Sequence, residues 1–280
     1  MHPLALELNK KNVYYKESDC FTDDPFHLVN TYVHANYNIK MHSHQFFEIN
    51  IVVGGEGRHY IGDTSLPACV GDVFVIPPEV FHGYHTSGSL DICHIILRSS
   101  FMTRYREELA LMPGFSLLFD IEPRLRRSAG CSCNLHIAPY DLSDFFDEVS
   151  RIIRAEESKH YAYQSAQTLA LIGRLGELLQ KNIENSSLPS QLGDLLLVMN
   201  FIQDNIDKKL TLDEIAAKAN MSRSTLNRHF RQALHISPMQ YLMHCRVTRA
   251  RDLIAASTLS KTEIALLTGF YDVAHMNKYL

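Results

Sequence analysis

The feature that constrains this chain most is a weak internal repeat in its C-terminal third, with an offset of 49–50 residues. The first unit reads TLDEIAAKANMSRSTLNRHF (211–230) and the second SKTEIALLTGFYDVAHMNKYL (260–280). Each opens on a capping box, Thr211 with Glu214 and Ser260 with Glu263, in which hydroxyl and carboxylate satisfy backbone donors at a helix start. Leu212, Ile215, Ala216 and Ala219 recur at i, i+3, i+4 and i+7, one apolar face of a short helix that needs a partner. Asn220 and Gly269 occupy matching places after that helix, and these residue types best tolerate the left-handed backbone of a sharp turn. Ser222 and Asp272 then cap a second helix, which carries Leu226 and Phe230 in one unit and Met276 and Leu280 in the other. The repeat predicts two helix-turn-helix units (211–230 and 260–280), bridged by a helix that Ser237 caps, Pro238 opens and QYLMHCRVTRARDLIAA continues. A rigid bridge sets the two about one duplex turn apart, roughly 10 base pairs.

In such a unit the second helix enters the major groove and its outward side chains carry the recognition. Arg223, Ser224, Asn227 and Arg228 face away from the apolar stripe, and the paired donors and acceptors of Asn and Arg match adenine and guanine edges. Lys218 and Arg231 are placed for phosphates. In the second unit His275, Asn277 and Lys278 take the outward places. The net charge of -4 argues against a polyanion partner, yet it is unevenly spread. Residues 188–280 carry 11 Lys+Arg against 8 Asp+Glu, and the rest 16 against 23. Within 215–251 there are seven basic residues, Lys218, Arg223, Arg228, Arg231, Arg246, Arg249 and Arg251, and no acidic one. A solvated helix face normally mixes signs in i,i+4 pairs; this stretch has no acid to offer, which favours double-stranded DNA as partner.

The preceding chain has a different period. Runs such as FEINIVV (47–53), DVFVIP (72–77) and LDICHIIL (90–97), bounded by GGEG, Gly62-Asp63, Gly71-Asp72 and Pro77-Pro78, predict short strands of a sandwich or small barrel over 1–140. From Asp141 the stripe Phe145, Phe146, Val149, Ile152, Ile153 and then Leu169, Ile172, Leu175, Leu179 predict two helices. These form a connector over 141–187 that joins domains or makes a homodimer, and NIENSSLPSQ (182–191) is the expected linker to the DNA-binding domain, 188–280. The fold class is thus α+β with two domains. No run of 18 apolar residues and no basic-then-apolar start is present, so the chain is expected to be cytoplasmic and to use no membrane. Cys20, Cys69, Cys93, Cys131, Cys133 and Cys245 show no CxxC spacing and are expected as reduced thiols.

A second constellation lies in the β region: His42-Ser43-His44-Gln45-Phe46-Phe47-Glu48, then Gly55, and later Gly71-Asp72-x4-Pro77-x4-His82. In one strand the even spacings put His42, His44 and Glu48 on a common face, with His82 arriving from another strand. Such a set suits either a small polar effector, with no cofactor required, or a divalent transition metal. His59, Tyr60, Tyr84 and His85 are near enough in sequence to add stacking or hydrogen bonds. His27, His34, His94 and His136 have no spacing that commends them.

These residues also carry resemblances. The elements L-x-x-x-A-x-x-x-x-x-S, L-N-R-x-F, S-P-x-x-Y-L, R-x-x-x-A-x-x-L and I-A-x-x-x-G-F-x-D between Ile206 and Lys278 resemble the DNA-binding domain of AraC/XylS-type bacterial transcription regulators. The resemblance implies base-reading positions at Ser224, Asn227 and Arg228, then at Val273, Ala274, His275, Asn277 and Lys278. It also implies a partner in RNA polymerase, as for an activator. His235 stands where the family has Gly, and the chain stops at Leu280 where relatives continue, so weaker protection of the second half-site is the expectation. Residues 30–100 resemble the two cupin motifs, with Glu79 where the second has Gly, and imply an effector-sensing barrel of the kind that binds a sugar. By analogy with the family, the resemblance also implies closure of residues 1–25 over the barrel. The competing expectation is a metal-dependent cupin enzyme, a dioxygenase or isomerase, with a C-terminal interaction module.

Overall fold

The computed structural model describes residues 13–35, 38–62, 64–123, 126, 135–185, 190–234, 236–256 and 258–280. They fall into two compact units, Met1–Asn182 and Ile183–Leu280. The expectations for His235, Cys131, Cys133 and residues 1–12 lie outside the described residues.

The first unit is a nine-stranded curled sheet, an open-sided half-barrel rather than a closed barrel. Its strands are β1 (Val13–Tyr15), β2 (Val29–His34), β3 (Ile39–His44), β4 (Phe47–Ile61), β5 (Thr64–Cys69), β6 (Asp72–Ile76), β7 (His82–His85), β8 (Leu90–Leu97) and β9 (Leu135–His136). A short helix α1 (Glu17–Cys20) follows β1. The curl follows from β4, which is 15 residues long and belongs to both walls. Its first half pairs antiparallel with β8 and β6, its second half with β5 and β7. The change of wall falls at Gly54-Gly55, where the register to β8 shifts and Gly55 takes φ 71. A side chain at Gly55 would run into the Ser89 backbone, so this bend needs glycine. Val52, Ile61, Phe74, Ile76, Tyr84 and Ile92 fill one part of the interior.

Helices α2 (Ser99–Arg104) and α3 (Arg106–Leu111) and a π-helical turn (Leu117–Ile121) follow the strands. Then come α4 (Leu142–Glu157) and α5 (Tyr161–Asn185). The expected stripes are the buried ones: Phe145, Val149 and Ile152 on α4, and Ile172, Leu175 and Leu179 on α5. Glu156 of α4 caps the edge of β2, its carboxylate accepting from the Thr31 amide at 2.7 Å and facing His27 Nε2 at 3.4 Å. The first residues of the expected linker, 182–185, complete α5.

The second unit is all helix: α6 (Ser190–Gln203), α7 (Leu212–Lys218), α8 (Arg223–Leu234), α9 (Pro238–Ala256), α10 (Lys261–Leu267) and α11 (Val273–Asn277). Both capping boxes form, and Asp272 accepts from the His275 amide at the start of α11. Asn220 and Gly269 take φ 51 and 71, as the two turns require. Ile215, Ala216, Leu226, Phe230 and Tyr241 are buried in the first half, and Ala250, Ile264, Ala265, Phe270 and Met276 cluster in the second. Leu280 departs from the repeat: it is 37% exposed, whereas Phe230 is fully buried. Since α11 ends at Asn277, Leu280 no longer lies on its inner face.

Arg246 corrects the reading of the basic stretch. It is a buried clamp, donating from Nε to the Ile206 carbonyl at 2.8 Å and from Nη2 to the Lys208 carbonyl at 2.6 Å. Gly269 sits against the same Ile206 carbonyl and guanidinium, where a Cβ would collide with both. Gly269→Ala combines that collision with left-handed strain and is expected to destabilise the helical unit by about 2 kcal/mol or more. Urea denaturation of the full chain checks this, with Asn220→Gly, which only relaxes its turn, as the variant that stays at or above wild-type stability.

Candidate functional site

Inside the half-barrel one carboxylate organises the polar side chains. Glu48, near the start of β4, is 1% exposed. Its Oε1 lies 2.7 Å from His94 Nδ1, and its Oε2 lies 3.1 Å from His82 Nε2, 3.4 Å from His44 Nε2 and 3.2 Å from Asn50 Nδ2. Burial pushes the Glu48 carboxyl upward, but His94, His44 and His82 outweigh it, so the group stays ionised well below the usual carboxylate range. His42 is also lowered, to about 3, by burial and by the neighbouring His82, which for an imidazole favours the neutral form. Burial also lowers His82 and His59.

The imidazoles share a further regularity. Nδ1 of His42, His44 and His82 contacts a backbone carbonyl, of Lys40, Phe46 and Val80, at 2.8, 2.8 and 3.1 Å. Each carbonyl lies two residues from its histidine, so the strand itself fixes ring orientation and favours the Nδ1–H tautomer. Their Nε2 atoms are left to face the centre, and that of His44 is buried without a hydrogen-bond partner. One ligand atom from each of His42, His44, Glu48 and His82 lies within 4.8 Å of all the others. Carbonyl-anchored imidazoles with inward lone pairs are the arrangement that second-shell contacts give to metal ligands, so the donor set fits a first-row divalent ion.

The expected four residues therefore meet, but not on one strand. His42 and His44 end β3 and Glu48 belongs to β4, because the chain turns at Gln45-Phe46. His82 arrives on β7, opposite His42. Sequence spacing also misled for other histidines. His94 on β8, cross-strand from Asn50, is a direct partner of Glu48, and Tyr32 of β2 stacks on its ring at 4.7 Å. Its signal was an imidazole amid the apolar run LDICHIIL, where an uncompensated polar group is costly. His27 stacks on Tyr161 at 4.9 Å, and His136 faces Asp72 at 2.9 Å. His59 stacks on Tyr84, whose hydroxyl accepts from Asn50 at 3.1 Å. The cavity, ≈ 350 Å³, is lined by His42, His44, Glu48, His94, His34 and Tyr32, and by Tyr15, Asp19 and Cys20 from β1 and α1.

In the helical unit Ser224, Arg228 and Arg231 on α8 are exposed, as are Lys218 on α7, Asn277 on α11 and Lys278. Asn227 is half-buried and donates to the Arg223 carbonyl at 3.0 Å. Arg223 does have an acidic partner: both oxygens of Asp213, just outside the acid-free stretch, accept from its guanidinium. Lys218 places its ammonium 5.7 Å from the Phe201 ring centroid. His275 is half-buried, its ring edge-on to Phe270 and Tyr279, each at 5.4 Å. Val273 is half-buried and Ala274 exposed.

A half-barrel with a polar cavity, together with a helical unit with paired helix-turn-helix elements, is the make-up of a DNA-binding regulator with a ligand-binding domain. Residues 31–193 match the AraC-like ligand binding domain and residues 215–280 a helix-turn-helix domain. The chain belongs to the AraC family of DNA-binding transcription regulators, and the relatives it matches are transcription regulators, not enzymes. The HTH-type transcriptional activator RhaS of Escherichia coli O6:H1 is 24% identical over 236 residues, covering 84% of this chain and 81% of the relative. A solved AraC-type regulator from Chromobacterium violaceum is 29% identical, with a TM-score of 0.31, over 33% of this chain and 82% of the other. ToxT from Vibrio cholerae is 10% identical, with a TM-score of 0.33, over 90% of this chain and 93% of the other. No helix among the described residues is long and apolar enough to cross a membrane.

The shifted groups give the half-barrel a pH dependence of definite sign. Between pH 3 and 6.5 the unfolded chain binds a proton at His42 that the folded chain refuses, so stability rises with pH through this window and is complete above it. His82 and His59 act in the same direction, and Glu48 adds a loss at more acid pH. For metal-free protein, His42 alone is expected to cost about 2 kcal/mol between pH 7 and pH 5. Urea midpoints at the two pH values check this, and His42→Asn is expected to flatten the difference.

Proposed function

We propose that the chain is a transcriptional activator whose DNA binding is set by a small, uncharged, hydroxylated molecule, a sugar or a compound of similar size, held in the half-barrel beside His42, His44, Glu48 and His82. The observation that carries the effector class is the cavity wall. Among the described residues it offers Asp19, Glu48, tyrosines, imidazoles and an amide, and neither lysine nor arginine. An anionic ligand would meet two acids and no cation there, whereas a polyol finds both donors and acceptors. The effector acts by linkage: binding one arrangement of residues 1–140 more tightly shifts the population that binds DNA. Residues 141–187 serve as connector and homodimer contact, and residues 188–280 read DNA. Activation is supported by the name of the RhaS relative, and implies contact with RNA polymerase in the cytoplasm.

In this reading Arg223, Ser224, Asn227 and Arg228, then His275, Asn277 and Lys278, contact base edges, while Lys218 and Arg231 contact phosphates. The Arg223 pair with Asp213 holds that guanidinium at the head of α8 until DNA competes for it. Arg228→Ala is expected to relax specificity at one base pair, at a cost of about 1–3 kcal/mol. Lys218→Ala and Arg231→Ala should weaken binding uniformly across sequences and reduce its salt dependence. Footprinting and competition binding on selected operator fragments separate the two behaviours. Operator affinity measured against a panel of neutral sugars and polyols tests the effector; no response to any of them defeats that part of the reading.

A second reading has an observation of its own. The three Nδ1 contacts to carbonyls and the inward Nε2 atoms suit a divalent transition ion held by His42, His44, Glu48 and His82. Bound there, the ion would offer Lewis acidity and open positions to a ligand oxygen. Elemental analysis of purified protein and of His44→Ala decides between an ion and a purely organic ligand.

A further inference from the structure

A second group of metal-ligating side chains lies apart from the residues around Glu48. Cys69 ends β5, Asp72 opens β6, and His136 belongs to β9, directly cross-strand from Asp72. Asp72 Oδ2 accepts from the Cys69 amide at 2.8 Å and faces the Cys69 thiol at 3.3 Å, while its Oδ1 faces His136 Nδ1 at 2.9 Å. Sulfur, oxygen and nitrogen ligand atoms all fall within 4.8 Å of one another. The carboxylate is buried, and the thiol and imidazole flanking it are exposed, so an ion has a direct path in from solvent. A turn and a side-chain amide bring the three together. Gly71 takes φ 95, and its missing side chain leaves room for the His136 ring and the Ile137 carbonyl. The Asn182 amide, near the end of α5, donates to the His136 carbonyl at 3.2 Å and holds β9 in place.

We propose that Cys69, Asp72 and His136 form a binding site for a late first-row divalent ion of the zinc class, with its fourth position open to water. In a tetrahedral zinc site with bonds of about 2.0–2.3 Å, neighbouring ligand atoms stand roughly 3.3–3.7 Å apart. The thiol stands 3.3 Å from Asp72 Oδ2 and His136 Nδ1 stands 2.9 Å from Oδ1, so each flanking ligand is near such a separation from one carboxylate oxygen, and a small rotation of the carboxylate lets a single oxygen serve the ion. In the metal-free state the contacts on Asp72 are bridged by the thiol proton and the imidazole Nδ1 proton. Ion binding releases the thiol proton to solvent and moves the imidazole proton from Nδ1 to Nε2: sulfur coordinates as thiolate, and His136 coordinates through Nδ1 as neutral imidazole. One thiolate and one imidazole beside a single carboxylate select zinc, cobalt or nickel over magnesium or calcium, which take oxygen ligands. A bound ion would pin β9 to the β5–β6 turn.

Cobalt(II) is the probe, because only a thiolate-ligated ion gives the near-ultraviolet sulfur-to-metal charge-transfer band; the His42, His44, Glu48 and His82 set contains no sulfur. Full-length, reduced, metal-stripped protein titrated with cobalt is expected to develop that band at one equivalent. The band should vanish in Cys69→Ser, persist in Cys20→Ser and in His44→Ala, and form with at least tenfold weaker affinity in His136→Ala. Cys69 and His136 are exposed, so neither variant threatens folding. No band in the wild type, a band that survives Cys69→Ser, or unchanged affinity in His136→Ala overturns the proposal.

Discussion

A carboxylate buried in a half-barrel is the constraint from which most of the first unit follows. Taking Glu48 out of water costs several kcal/mol unless the surroundings return that energy as charge-assisted hydrogen bonds. His94 and Asn50 do so directly, and His82 and His44 face it through Nε2 at 3.1 and 3.4 Å. Each of these groups is itself fixed: His82 and His44 by carbonyls two residues away, His94 by the Tyr32 ring, Asn50 by the Tyr84 hydroxyl. The residues that hold one charge thus come from β3, β4, β7 and β8, and these are strands that the curl of β4 brings face to face. A core of this kind specifies geometry at the expense of stability, which suits a sensor better than a scaffold.

The helical unit depends on a simpler device. Two short helical hairpins cannot bury much surface individually, and each packs its inner face against the long bridging helix α9. Arg246 from α9 satisfies the Ile206 and Lys208 carbonyls, and Gly269 of the second hairpin closes over the same place. A basic residue used internally is one fewer on the surface, and the Arg223 pair with Asp213 neutralises another in the absence of a ligand. The exposed basic residues of this stretch outside such pairings are therefore fewer than a count of arginines suggests, with Lys218, Arg228 and Arg231 among them.

The histidines divide according to whether the sequence states their surroundings. His42, His44, Glu48 and His82 stand in local patterns whose spacing was readable, although the inference used the wrong geometry: a turn at Gln45-Phe46 between two strands, not one strand, brings the first three together. His94 and His136 carry no local pattern, since their partners Glu48 and Asp72 are 46 and 64 residues away. Contacts of that separation are created by strand register, which a single sequence does not state.

What the sequence determined by itself was whatever repeats or alternates over a few residues. The duplicated hairpins with their capping boxes, the turns at Asn220 and Gly269, the apolar stripes of α4 and α5 and the strand runs of the half-barrel are all set by backbone propensity and short-range periodicity. Tertiary structure decided what depends on distant chain meeting at one point. It turned Arg246 inward, gave Arg223 an acid, made His94 a partner of Glu48, and set Cys69, Asp72 and His136 side by side. The physical reason is the same in each case: the energy of a charged or polar side chain is fixed by which dipoles and charges surround it, and those come from elements that only folding brings together.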